Sequence, residues 1–332
     1  MSRVAAVIVS YADSEATARA VASLRHQTRP PDAIVVVDNH PGEPLGAIEG
    51  ARIIRTGANL GYTGGANAGA RAAGTEADWL LFLNPDAEAQ PSCLQALLDA
   101  EQPTDGLLGA QVLLPGGERV NAGDNPLHVS GLSWSGRYGE AREDGDSREV
   151  AVVSGAALLV RRSAWETVGG MTEAMFLYHD DVDLAWRVRL AGWTVRFVPR
   201  AAVVHDYDFD KGTTKWFYLE RNRAWTVLTG YAARTLVLLA PLLLATELAI
   251  LVRAAREGWL GEKLRAYAAV VGGARAIAAR RREVQATRRV GDRVLLARSA
   301  GAMQTALLQS RLLALVNPWM ERYRRLVVRA VR

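Results

Sequence analysis

The sequence predicts an α/β fold, in which a mostly parallel central sheet is flanked by helices. Two short β-branched apolar runs, at residues 4–10 and 33–37, enclose a segment at 16–26 whose apolar residues follow helical spacing. A strand, a helix and a second strand in this order form a parallel pair. A change in charge after residue 252 further predicts a helical appendage at the carboxyl end.

Composition limits the classes of protein to consider. With 332 residues, of which 49% are hydrophobic, the chain can bury one large core or two smaller ones. Its single cysteine, Cys93, cannot form an internal disulfide, which indicates a reducing compartment. The apolar start at residues 4–10 is too short for a secretion signal and is interpreted as the first strand.

Charge is distributed unevenly along the chain. Residues 1–252 contain 22 Lys and Arg against 30 Asp and Glu, whereas residues 253–332 contain 18 against 5. An apolar run at 235–252, interrupted by Pro241 and Glu247, precedes the basic part. We expect a helix that lies in or dips into a membrane interface, with a buried core helix as the alternative. Few aromatic residues alternate with the basic ones, which argues against nucleic acid.

Further elements follow from the pattern of the chain. A strand at 51–55 leads into a glycine-rich turn and an alanine-rich helix at 57–70, and a buried strand at 79–83 follows. Residues 104–150 are predicted to form loops and hairpins, and 150–160 to return to the sheet. A helix at 184–190 and strands at 194–199 and 201–204 then close the catalytic unit near residue 225.

Polar residues follow three of the predicted strands. Asp38 follows the second strand, Asp86 comes after the strand at 79–83, and His205 follows the last strand. Open α/β sheets bind ligands at the carboxyl ends of their strands, so this set is suited to a divalent cation that holds a diphosphate. Taken singly, Asp86 could be a turn residue and His205 a strand-end histidine bonded to backbone. The glycine-rich turn lacks the spacing of a dinucleotide-binding loop.

An acidic segment precedes the helix at 184–190. His179, Asp180, Asp181 and Asp183 lie within five residues. Such a cluster is either solvated at a helix start, with one aspartate as N-cap, or contains a carboxylate of raised pKa that acts as a base.

Taken in order, these motifs resemble the GT-A-fold inverting glycosyltransferases of family two. The similarity covers residues 3–225 and is greatest to the branch of bacterial rhamnosyl- and galactofuranosyltransferases. The residues that carry it are Val7 to Tyr11, Val36 to Asn39, Asn59 to Gly61, Asn67 to Gly69, Leu83 to Asp86, Gly155, Tyr178 to Leu184, Arg187 and Pro199 to His205. The resemblance implies a Rossmann-like GT-A domain.

The resemblance also implies roles for single residues. Asp181 would be the catalytic base, with Asp180 beside it in a position where the family has glutamate. Asp86 and His205 would bind Mg²⁺ or Mn²⁺. Asn84 replaces the first acid of the family's metal motif, so Asp86 is the acid of that motif that remains. Asp38 would contact the base or ribose of the nucleotide. The other expected donor-binding residues are Ser10, Tyr11, Asn59, Gly61, Asn67, Asn84 and Arg187.

The resemblance implies a metal-dependent hexosyltransferase of cell-wall or surface polysaccharide assembly, which moves rhamnose or galactofuranose from a UDP- or dTDP-sugar to a lipid-linked saccharide. Residues 1–225 would form the catalytic domain and 226–332 a membrane-associating region. The expected location is the cytoplasmic face of the bacterial plasma membrane, peripheral or monotopic, and the basic helices could equally form a homo-oligomer. The alternatives are a sugar-nucleotide nucleotidyltransferase and a catalytically dead membrane-bound scaffold.

Overall fold

The computed structural model describes residues 2–206, 212–303 and 311–331. Within these ranges the chain forms two compact units. The first contains residues up to 125, 135–188 and 193–206, and the second contains residues 126–134 and 189–192 together with the chain beyond residue 211. The domain boundary predicted at residue 225 therefore falls inside the second unit. Of the predicted membrane-associating region, residues 304–310 and 332 lie outside the described residues.

The strands belong to the first unit. In chain order they are β1 Val4–Ser10, β2 Ala33–Asp38, β3 Arg52–Arg55, β4 Trp79–Leu83, β5 Ala87–Ala89, β6 Asp105–Leu113, β7 Val120–Ala122, β8 Asp124–Asn125, β9 Arg148–Glu149, β10 Val152–Val153, β11 Ala157–Arg161 and β12 Thr194–His205. The main sheet has the order β3-β2-β1-β4-β11-β6-β12-β5, and in addition β7 pairs with β6 and β9 with β12. Strands β8 and β10 form a separate antiparallel pair.

Six of the ten strands of the main sheet, β1, β2, β3, β4, β6 and β12, run in one direction, as expected for the predicted fold. Neighbours β3, β2, β1 and β4 run parallel to one another, and so do β6 and β12. Strand β11 lies between β4 and β6 and is antiparallel to both. The first four parallel strands therefore end at one edge of the sheet, which brings the polar residues that follow them together.

Residues 104–150, predicted to form loops and hairpins, contain the antiparallel pair β6 and β7. The prediction did not place β6 inside the main sheet, where it is fully buried. The glycines of β6 are needed for packing. A Cβ at Gly109 would lie 2.2 Å from the Val153 side chain, and one at Gly106 would lie 2.6 Å from that of Trp193. Two predicted strands, 194–199 and 201–204, form one strand, β12, with an irregularity after Val198.

The helices are α1 Ser14–Arg25, α2 Gly61–Ala72, α3 Cys93–Asp99, α4 Arg162–Val168, α5 Asp180–Leu190, α6 Thr214–Gly230, α7 Ala233–Arg256, α8 Leu260–Gly272, α9 Ala274–Thr287, α10 Asp292–Arg298 and α11 Arg311–Ala330. Helix α1 connects β1 to β2 and packs its buried residues Ala20, Val21 and Leu24 in the main hydrophobic core. Helix α5 begins at Asp180, so the acidic segment forms its first turn.

Helices α6 to α11 make up most of the second unit. By length and composition, α7 is the one helix of the described residues that could cross a membrane. About a fifth of its most apolar 18-residue stretch is buried. Four charged residues from three helices meet inside this unit: Glu220 and Arg223 from α6, Glu247 from α7 and Lys263 from α8. Paired charges of this kind are costly to bury unless every one has partners, and here each has at least two.

Candidate active site

Several of the predicted site residues lie at the carboxyl ends of strands. Ser10 ends β1 and pairs in register with Asp38, which ends β2. Asn84 follows β4, and its backbone N–H donates to the carbonyl of Ala156 (3.0 Å). His205 ends β12 opposite Ala87. The sheet thus places the donor-side and metal-side candidates along one edge of the first unit.

The acidic pair opens helix α5. Oδ2 of Asp181 accepts a hydrogen bond from the backbone N–H of Gly155 (3.0 Å), and its Oδ1 accepts one from the N–H of Val182 (2.7 Å). Asp180 is 9% exposed. Burial, together with the charge of Asp181, raises the pKa of Asp180 to about 7. Burial also raises the pKa of Asp181, despite its two backbone donors. Carboxylates of raised pKa are stronger bases than ordinary aspartates.

Strained backbone precedes the acidic pair. Phe176, Tyr178 and His179 have φ values of 64°, 65° and 63°, a region that side chains other than glycine rarely adopt. Such conformations persist only where neighbouring structure holds them, and they are concentrated at functional sites. Here the N-terminus of α2 holds the segment, because the N–H of Thr63 donates to the carbonyl of Phe176 (3.3 Å).

Gly61 lies where α2 approaches this segment. Its φ is +67°, and a Cβ at this position would lie 2.3 Å from the Phe176 carbonyl oxygen. The glycine is thus required for the close approach of two backbones. The turn before it is held by Asn59, whose Oδ1 accepts from the N–H of Gly61 (2.9 Å). Asn39 adds to the turn, since its side chain donates to the Gly61 carbonyl and accepts from the N–H of Leu60.

Asn67 braces the other end of the same segment. Its side-chain amide donates to the Met171 carbonyl (3.0 Å) and to the Glu173 carboxylate (3.0 Å). Its Oδ1 accepts from the N–H of Met171 (2.9 Å). Asn59 and Gly61 thus shape the turn before α2, and Asn67 braces the segment before Asp180. Their contact with the donor stays a prediction.

Arg187 is likewise placed in the protein interior. It is 3% exposed, and its Nε donates to Oδ2 of Asp183 (2.7 Å) while Nη1 donates to the Val168 and Gly170 carbonyls. Asp183 is also 2.8 Å from the Thr172 hydroxyl. This geometry gives Arg187 a structural role beside Asp183, and its expected contact with the donor stays a prediction.

On the donor side, exposure differs sharply among the predicted residues. The Ser10 hydroxyl is buried and lies 2.7 Å from the Thr17 hydroxyl. Oδ2 of Asp38 accepts from the N–H of Leu45 (3.0 Å), which fixes the loop that follows β2. Tyr11 is 52% exposed, with its ring edge-on to that of His40 at 5.0 Å. Of these residues, Tyr11 has the surface that a planar ligand could contact.

Asp86 and His205 form a pair. Nε2 of His205 and Oδ1 of Asp86 are 2.9 Å apart, and the Asp86 side chain is about one-third exposed. A carboxylate oxygen suits both Mg²⁺ and Mn²⁺, whereas an imidazole nitrogen suits Mn²⁺ better than Mg²⁺. The pair formed by Asp86 and His205 therefore fits the predicted cation. In the part of the chain that the structure describes, no group of three or more potential ligands converges on one point. A cation here would complete its coordination with ligand oxygens and water.

The sequence interpretation missed Tyr62, the second residue of α2. Burial and the negative charges of Asp180, Asp181 and Asp86 raise its pKa above the ordinary tyrosine value. Tyr62 therefore lies near both the acidic pair and the predicted metal-binding aspartate. The sequence could have indicated Tyr62 as a candidate site residue, because it directly follows Gly61 at the start of α2. Asn39 was also omitted, although it adjoins Asp38.

The sheet brings Asp38, the pair Asp86 and His205, and the acidic pair of α5 to one edge, as the resemblance to GT-A-fold glycosyltransferases predicts. Residues 5–169 match the family described as glycosyl transferase family 2. The chain belongs to this family, in the rhamnosyltransferase-like branch. The match ends before the acidic pair and His205, so the roles of those residues stay predictions.

Three known proteins show the similarity. The N-acetylglucosaminyl-diphospho-decaprenol L-rhamnosyltransferase of Mycobacterium tuberculosis is 34% identical over 228 residues, which cover 60% of this chain and 74% of that protein. A low-salt glycan biosynthesis hexosyltransferase, Agl10 of Haloferax volcanii, is 24% identical over 53% of this chain and 60% of its own. The crystal structure of GalNAc-T7 with UDP, GalNAc and Mn²⁺ superposes with a TM-score of 0.57 at 14% identity, over 69% of this chain and 48% of that one, and shows the shared fold.

Proposed function

We propose that the protein transfers rhamnose or galactofuranose, with inversion at the anomeric carbon, from a UDP- or dTDP-sugar to a hydroxyl of a lipid-linked saccharide. The name of the mycobacterial relative supports the proposed sugar and the proposed acceptor, since that protein transfers L-rhamnose to an N-acetylglucosaminyl-diphospho-decaprenol. The reaction would serve bacterial cell-wall or surface polysaccharide assembly. It would take place at the cytoplasmic face of the plasma membrane, where such a lipid presents its saccharide to the enzyme.

The carboxylate of Asp181 carries the proposal. In a single displacement, the acceptor hydroxyl attacks the anomeric carbon, its proton passes to Asp181, and the bond to the diphosphate breaks. One glycosidic bond forms as one glycosyl phosphate bond is lost, and the configuration inverts. The Gly155 N–H fixes one oxygen of Asp181, and the raised pKa makes the carboxylate a better proton acceptor. Asp180, which is more deeply buried, lies beside this base, and burial together with the charge of Asp181 raises the pKa of Asp180 to about 7.

The nucleotide would be held at the ends of β1 and β2. The exposed ring of Tyr11, beside His40, offers a face or edge for the base. Asp38 shapes this pocket through its bond to the N–H of Leu45 and would contact the ribose or the base with its remaining acceptor capacity. Ser10 supports the wall from behind, through its buried contact with Thr17.

The diphosphate would lie near Asp86 and His205. These two residues would hold Mg²⁺ or Mn²⁺, and Asn84, adjacent on the same turn, would line the cation site. When bound, the cation supplies positive charge that stabilises the leaving nucleoside diphosphate. The His205 imidazole is held by β12 and the Asp86 carboxylate by the turn after β4, so the sheet fixes their separation.

A panel of nucleotide-sugars, tested by thermal shift with Mn²⁺, Mg²⁺ or EDTA, tests the donor. Specific binding raises the melting temperature by mass action, and we expect a dTDP- or UDP-sugar to do so only with the cation. The matched donor is then incubated with a prenyl diphosphate N-acetylglucosamine acceptor, and the product is analysed by mass spectrometry and by NMR of its anomeric configuration. Donor hydrolysis without transfer to any lipid-linked acceptor, or a product of retained configuration, would contradict the proposal.

A further inference from the structure

Helix α7 has two faces of opposite character. One faces the second unit and contains Leu239, Leu242 and Thr246, all at most 6% exposed. The other presents Val237, Leu244, Leu248 and Val252, whose exposed fractions are 73%, 65%, 64% and 52%. These positions recur at helical spacing, so they form one continuous apolar stripe along the helix. Apolar stripes of this length are rarely left in water.

The buried face is fixed by charge. The Glu247 carboxylate accepts from Nζ of Lys263 (2.7 Å), from the Tyr267 hydroxyl (2.7 Å) and from Arg223. Although burial opposes ionisation, Arg223, Lys263 and Tyr267 outweigh it and lower the pKa of Glu247 to about 2. Glu247 is therefore ionised, and α7 is tied through it to α6 and α8.

This cluster decides how α7 can meet a bilayer. A helix of 24 residues is about 36 Å long, which is enough to span the hydrocarbon core. Glu247 is the fifteenth residue of α7, so in a spanning helix it would lie near the middle of the core. Its partners Arg223 and Lys263 would have to enter with it or leave it as an unpaired charge. Either outcome is strongly unfavourable in hydrocarbon.

The charge of the surrounding chain selects the partner. Residues 253–332 contain 18 Lys and Arg and 5 Asp and Glu. Helix α11, which bonds to α7 through the Tyr323 hydroxyl and the Leu238 carbonyl (2.6 Å), carries Trp319 with 71% of its surface exposed. The same helix has exposed arginines, Arg322, Arg325 and Arg329. A second copy would bring two such basic surfaces together, whereas anionic lipid headgroups complement them.

We infer that α7 lies in the plane of an anionic membrane, with the stripe formed by Val237, Leu244, Leu248 and Val252 inserted into one leaflet and the Glu247 side facing the protein. This deepens the membrane association within the proposed function. It makes the second unit monotopic, and the helix does not cross the bilayer. An enzyme docked in this way would meet a lipid-linked acceptor by diffusion within the same leaflet.

Vesicle flotation of the full chain tests the docking stripe. We expect binding to vesicles of equal phosphatidylglycerol and phosphatidylcholine, and at least tenfold weaker binding to phosphatidylcholine alone. Leu248→Glu should weaken binding at least tenfold, while Ala18→Glu, an equal charge change at an exposed position of α1, should leave it unchanged. Melting curves of both variants verify folding. Unaltered binding of Leu248→Glu, or sedimentation of the protein as a dimer that is dispersed by this substitution, would overturn the inference.

Fluorophore depth separates the in-plane from the spanning arrangement. Cysteines are placed singly at Val237, Leu244 and Val252 and labelled; the native Cys93 is only 3% exposed and is replaced by serine. Brominated lipids then report the depth of each label. Equal, shallow depths are expected. Val237 and Val252 are about 22 Å apart along the helix, so a spanning helix would place them near opposite surfaces with Leu244 deepest. That result would overturn the inference. Because no donor or acceptor is present, either outcome is independent of the transfer reaction.

Discussion

Replacement of Asp181 by asparagine tests the assignment of the base most directly. The substitution keeps the shape of the side chain and an oxygen that can accept from the Gly155 N–H, now 3.0 Å from Oδ2, but it removes the ability to take up a proton. General-base catalysis is worth roughly 10² to 10⁴ in rate. We therefore expect turnover to fall by about that factor, which corresponds to roughly 3 to 5 kcal/mol in the activation barrier.

The assay measures turnover and donor binding separately. Turnover is followed as release of nucleoside diphosphate in the presence of acceptor, and donor affinity is measured by calorimetry. Donor affinity should remain within about threefold of the wild type, because the nucleotide-side residues lie on other elements. The wild-type turnover should decline as pH falls below the raised carboxylate pKa, whereas the residual activity of the variant should lose this dependence.

Asp180→Asn is the matched control, since it removes the neighbouring carboxylate of the same helix turn. Because burial is what raises the pKa of Asp181, this substitution should leave the acid limb of the pH profile in place, with turnover largely retained. If Asp180→Asn abolished turnover while Asp181→Asn kept it within tenfold of the wild type, the reasoning from the Gly155 contact would be refuted.

Three further results are expected. Asp86→Ala and His205→Ala should each weaken donor binding in the presence of Mn²⁺ at least tenfold. The donor affinity of each variant with Mn²⁺ should then equal that of the wild type in EDTA. Unchanged calorimetric affinity would count against the cation site. Gly61→Ala should destabilise the protein by at least about 2 kcal/mol in urea unfolding, because φ is +67° and its Cβ would lie 2.3 Å from the Phe176 carbonyl oxygen. Asp180→Asn should gain stability over the wild type as pH rises. The folded-state pKa is raised to about 7 from 3.8, so the wild type loses stability between these values, and the gain should be roughly 3 kcal/mol larger at pH 8 than at pH 5. A pH-independent difference in unfolding free energy would contradict that shift.

Much of the fold was accessible from local patterns. Runs of β-branched residues predicted β1, β2 and β4, because a parallel strand buried on both faces leaves a continuous apolar signal. The sequence predicted hairpins in residues 104–150 but did not place β6 in the main sheet, and only the packed neighbours Trp193 and Val153 explain its glycines Gly106 and Gly109. A local sequence pattern does not show which residues from distant parts of the chain will pack against a strand.

The candidate site shows the same division. The order of Asp38, Asp86 and His205 after strands placed them on one edge, since parallel strands end together. The backbone contacts of Asn67 and Arg187 could not be predicted from residue type. An amide or a guanidinium serves equally well for a ligand or for backbone carbonyls, and the carbonyls that these two side chains bind come from a distant segment. The spacing of Asp183 and Arg187, four residues apart on a helix, was a local signal for their ion pair.

The sequence by itself determined the α/β class, the glycosyltransferase family and the edge of the sheet where polar residues gather, because these depend on periodicity and on the order of motifs. Only the tertiary structure decided which of those residues are buried and hydrogen-bonded to the backbone before Asp180. It also decided that the apolar run at 235–252 carries Glu247 in contact with Lys263. Burial, pKa and charge pairing arise from residues far apart in the chain, and they exist only once those residues meet.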